Sequence, residues 1–232
     1  MWPSAKTFDW YVDRRRSLSG SLRRFSALVV AKPKVAAGVA IGGIAILAVV
    51  TGYLAWSSRR ETKAAGLLFQ AVKQLTSSRG AAEDAAKQEE AVGLLRELTA
   101  RYPGTAAAAE ATLRLGTLYY TIAEFDEARN TYQGYLTRHP RGRVAFAAGM
   151  GVGDTYVSQE KYDKAIESYS RLIDQFPQDP LLPEALLNLA RTYVKINKGQ
   201  EAIRLYQKVA EGYPNTGWDR SARSQLRKLA PR

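Results

Sequence analysis

The chain has 232 residues, a formal net charge of +12 and no cysteine, which excludes a disulfide framework, a thiolate zinc site, a thiol nucleophile and a lipid-modified cysteine. The charge argues against a continuous nucleic-acid surface because it gathers at the ends. Residues 1–34 carry a net +6, residues 217–232 a net +4, and the stretch between them only +2.

Residues 1–34 read as a basic cytoplasmic tail, with Trp2, Phe8, Trp10 and Tyr11 near the Arg14–Arg16 run. Anionic headgroups attract such a segment by about 1 kcal/mol per basic residue near the surface. The same charges serve as a topology signal.

Residues 35–56, VAAGVAIGGIAILAVVTGYLAW, contain no charge over 22 positions. As a helix this run spans roughly 33 Å at about 1.5 Å per residue, against a hydrocarbon core of about 30 Å. Nine Val, Ile and Leu residues favour insertion, by roughly 3–5 kcal/mol in total. Tyr53 and Trp56 stand where an interfacial aromatic belt would be. A cleaved signal peptide would have a shorter apolar region nearer the start. The reading is an uncleaved transmembrane helix. Basic residues outnumber those of the far flank on the N-terminal side, so residues 1–34 are expected in the cytoplasm and the rest outside it. Gly38 and Gly42 form a GxxxG step, a candidate contact between membrane helices.

Beyond residue 57 the chain repeats itself. Pro103, Pro140, Pro177 and Pro214 are each 37 residues apart, and Ala91, Ala128, Ala165 and Ala202 keep the same spacing. Tyr119, Tyr156 and Tyr193 are in phase with them, as are Tyr132, Tyr169 and Tyr206. Each unit reads as two helices. In the last copy Leu186, Leu189, Ala190 and Tyr193 share one face of a first helix, which Lys198-Gly199 is expected to break. Ala202, Leu205, Tyr206 and Val209 mark the inner face of a second helix, and Pro214 ends the unit. The residue before each proline, Tyr102, His139, Phe176 or Tyr213, is expected to pack under the turn. The first copy is degenerate: a helix over KAAGLLFQAVKQL, then a lengthened turn over TSSRGAAEDAAKQ, then a return to phase. WDRSARSQLRKLA (218–230) reads as a basic capping helix that covers the apolar edge of the last repeat.

No catalytic, cofactor or metal site is expected. His139 is the only histidine, too few for a His-rich metal site or a triad. GMGVGD (149–154) has glycines like part of a phosphate loop, but it lies inside a helix, follows no strand and lacks the Lys-Ser/Thr ending.

Leu115-Gly116, Tyr119, Ala128, Tyr132 and Pro140, with their counterparts one and two periods on, resemble the tetratricopeptide repeat. The resemblance implies an all-α right-handed superhelix of helix pairs over residues 57–216, about four repeats, with a concave peptide-binding groove. Positions that line the groove in that family fall here on Glu110, Leu113, Thr117 and Tyr120, on Met150, Asp154 and Val157, and on Glu184, Leu187, Arg191 and Lys195. A basic tail, one membrane helix and such repeats are together similar to the YfgM-type ancillary subunit of the bacterial Sec translocon. That likeness implies a non-enzymatic protein of the bacterial inner membrane with its repeats in the periplasm, whose partners are the translocon, chaperones or exported polypeptides. An assembly scaffold for another envelope complex, serving outer-membrane insertion, cell-wall synthesis or secretion, fits the same features.

Overall fold

The computed structural model describes residues 33–76 and 81–229, so the basic tail expected over 1–34 lies almost wholly outside the described residues. The described residues form nine α-helices. In chain order these are α1 (Pro33–Thr76), α2 (Ala81–Arg101), α3 (Ala106–Thr121), α4 (Phe125–Arg138), α5 (Ala145–Ser158), α6 (Tyr162–Gln175), α7 (Leu182–Lys195), α8 (Gly199–Gly212) and α9 (Gly217–Leu229).

The chain divides into two compact units, residues 1–59 and 60–232. In the first, α1 is long and apolar enough to cross a membrane, and none of its most apolar window is buried against protein. Val35, Ile41, Ile44, Leu47 and Val49 are all exposed, and a Cβ added to Gly38 or Gly42 would meet nothing within 4 Å. The uncharged run of 35–56 is thus the first half of a longer helix.

In the second unit, helices pair as tetratricopeptide packing requires: α3 with α4, α5 with α6, α7 with α8, each packed also on the next. The turns inside the pairs share one design. The Glu124 amide donates to the Tyr119 carbonyl at 2.8 Å, and the Ala123 amide to the Tyr120 carbonyl at 3.1 Å. Lys161 and Glu160 repeat this on Tyr156 and Val157, as Lys198 and Asn197 do on Tyr193 and Val194. These are Schellman closures, and each puts one residue in the left-handed region: Ala123 (φ 63°), Glu160 (φ 57°) and Asn197 (φ 59°). The expected break at Lys198-Gly199 is therefore corrected. α7 ends at Lys195, Asn197 reverses the chain, and Gly199 is the first residue of α8.

The first pair differs from the sequence reading in the same way. The lengthened turn expected over residues 76–88 is shorter, because α2 already begins at Ala81. AAEDAAK is rich in strong helix formers, so loss of repeat phase here does not mean loss of helix.

The core explains the recurring residue types. Ala128, Ala165 and Ala202 are fully buried, and Tyr132, Tyr169 and Tyr206 lie against the first helix of their own pair. A Cβ on Gly116 would come within 2.3 Å of the Tyr132 ring, and one on Gly153 within 2.2 Å of the Tyr169 ring. The other glycines of GMGVGD answer to packing as well: Gly149 faces Leu172 and Gly151 faces Tyr132 from the next pair. The residues before the prolines pack under the loops, with the Phe176 ring edge-on to Phe146 at 5.9 Å and Tyr213 edge-on to Trp218 at 6.2 Å. α9 closes the stack: Ala222 is fully buried and Trp218, Leu226 and Leu229 pack on the same cluster as Leu186, Tyr206 and Val209.

Candidate functional site

The first helices of successive pairs carry the positions implied as groove-lining. Each junction between neighbouring first helices is bridged by polar contacts. At the first, Glu61 of α1 accepts from the Ala106 and Ala107 amides at 3.0 Å each, capping α3 from another helix. At the second, the Tyr120 and Ser158 hydroxyls meet at 2.6 Å. At the third, Asn188 donates to Asp154 at 3.2 Å. At the fourth, the Trp218 indole N–H donates to Glu184 at 3.0 Å. A buried or half-buried polar group needs a partner, and this wall supplies one across each junction.

Asp154 is the centre of the largest group. It accepts from the Tyr169 hydroxyl at 2.5 Å as well as from Asn188. Burial pushes its carboxyl above the usual value, and the Tyr169 hydrogen bond only partly offsets that. Burial raises the Tyr169 phenol too, with the Asp154 charge adding to it. Arg191 donates to Asn188 at 2.6 Å and to Glu184 at 3.4 Å, which links the third junction to the fourth.

The remaining candidate positions divide by environment. Thr117 is exposed, with its hydroxyl 3.5 Å from that of Tyr132. Glu110 is half-exposed and pairs with Arg114 at 2.8 Å. Leu113, Met150 and Val157 are half-buried against the core. Lys195 is exposed. Leu187 is 1% exposed; it sits in the core under α9 and reaches solvent only as part of a recess of about 380 Å³ shared with Glu184, Arg191 and Trp218. The wall is thus polar and mixed in charge, with apolar floor patches.

Reading by repeat position missed Glu61, Ser158, Asn188 and Trp218. A signal for two of them is present: Asn188 and Trp218 each follow their partner by 34 residues, one helical turn short of the 37-residue period. That offset places each on the neighbouring first helix, about one turn N-terminal to the repeat-equivalent position.

A tetratricopeptide repeat-like domain matches residues 33–169, and a tetratricopeptide repeat matches residues 144–215. Among solved structures, nearly identical TPR-like repeats assigned to a kinesin light chain of Podosopora anserina superpose with a TM-score of 0.56 at 14% identity, over 73% of this chain and 85% of that one. A tetratricopeptide repeat protein from Parabacteroides merdae superposes with a TM-score of 0.55 at 17% identity, over 72% of this chain and 60% of that one. No curated protein matches the chain. At these identities the structural likeness is one of fold alone.

Proposed function

We propose, from the premise that this chain belongs to the tetratricopeptide repeat family, that it is a membrane-anchored scaffold whose repeats bind other polypeptides. The anchor is the uncharged first half of α1, and the binding surface is the wall of first helices. Nothing in this role calls for catalysis, and the chain acts by holding a partner. The basic tail favours a cytoplasmic N-terminus, which puts residues 57–232 in the periplasm of a bacterial inner membrane. The order and length of its segments support a likeness to the YfgM type, beside the Sec translocon, where the repeats would meet exported chains or chaperones. A tether raises the local concentration of such a surface, so weak contacts suffice.

The single observation that carries the reading is the coupling of one uncharged 22-residue run to a stack of repeats with a polar, mixed-charge inner wall. Two measurements test it. Reporter fusions at each terminus should place the N-terminus inside and the C-terminus outside. Purification of the intact protein from gently solubilised membranes should bring translocon subunits or periplasmic chaperones with it. A cytoplasmic C-terminus, or co-purification of another envelope machine in their place, would refute the placement or the partner respectively.

A further inference from the structure

A different face of α3 carries a pocket that the proposed groove does not use. Between α2 and the C-terminal end of α3, Ala85, Val92, Leu118, Tyr119 and Ile122 line an open recess of about 240 Å³, with the exposed Gln88 and Glu89 completing the lining. Tyr119 is 6% exposed, and its buried hydroxyl has no hydrogen-bond partner. A polar atom left in that state is unfavourable, because its hydration is lost and nothing replaces it. Arg96 lies over the Tyr119 ring at 5.5 Å. The rest of the pocket is walled by apolar side chains.

The same junction one period later is filled. Counting 37 residues on, Tyr119 becomes Tyr156, Glu89 becomes Asp126, Val92 becomes Arg129 and Ile122 becomes Gln159. There the Arg129 guanidinium sits 4.8 Å over the Tyr156 ring, pairs with Asp126 and donates to Gln159 at 2.8 Å, and Gln159 donates to Asp126 at 3.0 Å. The Arg129 side chain is only 14% exposed. Two periods on, Ile166 and Ile196 occupy the places of Val92 and Ile122. Ile166 is bulkier than Val92 and packs into the core there. The first junction keeps the tyrosine and the carboxylate, but the Val92 position lacks the arginine and the bulk; its own Arg96 reaches the Tyr119 ring from one turn further along α2 and does not line the pocket.

We propose that the pocket beside Tyr119 accepts the arginine side chain of a bound polypeptide, its stem along Val92, Leu118 and Ile122 and its guanidinium on Glu89. The junction at Tyr156 is the internal precedent for this chemistry. Glu89 supplies the complementary charge from the position that Asp126 holds there. Arginine suits the site better than lysine, because its planar group stacks on aromatic faces and forks onto a carboxylate. The inference does not depend on the inner wall or on the membrane placement.

Fluorine NMR of the full chain in detergent, labelled with fluorotyrosine, tests it. The Tyr119 resonance is assigned by its loss in Tyr119→Phe. Blocked pentapeptides of glycine with a central arginine, lysine or leucine are the probes. The arginine peptide should shift the Tyr119 resonance with a Kd on the order of 1 mM, and the leucine peptide should bind about ten-fold more weakly. Glu89→Gln should weaken the arginine peptide about five-fold and leave the leucine peptide unchanged. Val92→Arg with Ile122→Gln, which rebuilds the second junction, should abolish the shift. An equal response to leucine, an arginine response untouched by Glu89→Gln, or no response to any peptide would overturn the proposal. So would a Tyr119 resonance that moves on Arg79→Ala without peptide, which would put the chain's own arginine in the pocket.

Discussion

Gly153 faces Tyr169 so closely that a methyl group on it would lie 2.2 Å from the ring, well inside contact distance. The tyrosine cannot retreat freely, because its hydroxyl is anchored on Asp154 and its ring is 1% exposed. Overpacking of this kind costs about 1–3 kcal/mol. Gly153→Ala should lower stability by that amount in urea denaturation of the full chain in detergent, and Tyr169→Leu in the same chain should recover part of the loss. Ala190 already stands opposite Tyr206 at the matching place in the last pair, so a Gly153→Ala chain as stable as wild type would mean that the two pairs tolerate the same spacing.

The three turns inside the helix pairs make a graded prediction. Ala123 and Glu160 adopt left-handed backbone at φ 63° and 57° without the freedom of glycine. That conformation costs a β-carbon-bearing residue roughly 1–2 kcal/mol. Glycine there should stabilise by about 1 kcal/mol after its own entropic cost. Asn197 tolerates the region better, so Asn197→Gly should change stability by only a few tenths of a kcal/mol. Thermal midpoints of the three single variants check the order.

Glu61 caps α3 from a different helix, accepting two amide hydrogens that would otherwise lack a partner within α3. Glu61→Ala should cost about 1 kcal/mol, with amide exchange at Ala106 and Ala107 accelerated more than in α5 or α7. Uniform acceleration across all three helices would contradict a local capping role.

The pH dependence of stability should carry the mark of Asp154. Its carboxyl is raised above 3.8 by burial, so the folded chain holds that proton more tightly than the unfolded chain. Its contribution is complete below the unfolded value and is lost as pH rises through the folded one. Asp126 works in the opposite sense: hydrogen bonds from Gln159 and Arg129 hold it below 3.8, so its contribution is lost only as pH falls below that value. Wild-type stability should therefore decline from about pH 4 upward through the folded Asp154 value, and Asp154→Asn, which keeps an acceptor oxygen, should flatten that decline. An unchanged slope in the variant would place its origin elsewhere.

The repeats were legible in the sequence because each copy solves one packing problem with the same residues. Gly116 and Gly153 admit Tyr132 and Tyr169, and the fully buried Ala128 and Ala165 let the paired helices close. The turns were not legible, because the left-handed position is Ala, Glu and Asn in successive copies and so has no common residue type. Gly199 drew the break to itself only by being a glycine. The early start of α2 was hidden for a related reason: helix propensity persists at Ala81 where the repeat's own markers are missing. Position within the repeat picked out Asp154, Glu184 and Arg191 as groove candidates. It could not reveal that Tyr169 and Asn188 hold Asp154, since those contacts join residues 15 and 34 positions apart.

Crosslinking in living cells tests the proposed polypeptide binding most directly. A photoreactive residue would replace Thr117 or Arg191 on the inner wall, both exposed, and Gln133 or Lys208 on second helices, also exposed. The inner positions should capture translocon subunits, periplasmic chaperones or exported polypeptides, and the second-helix positions should not. Capture of cytosolic proteins alone, or equal capture from both sets, would contradict a periplasmic binding wall.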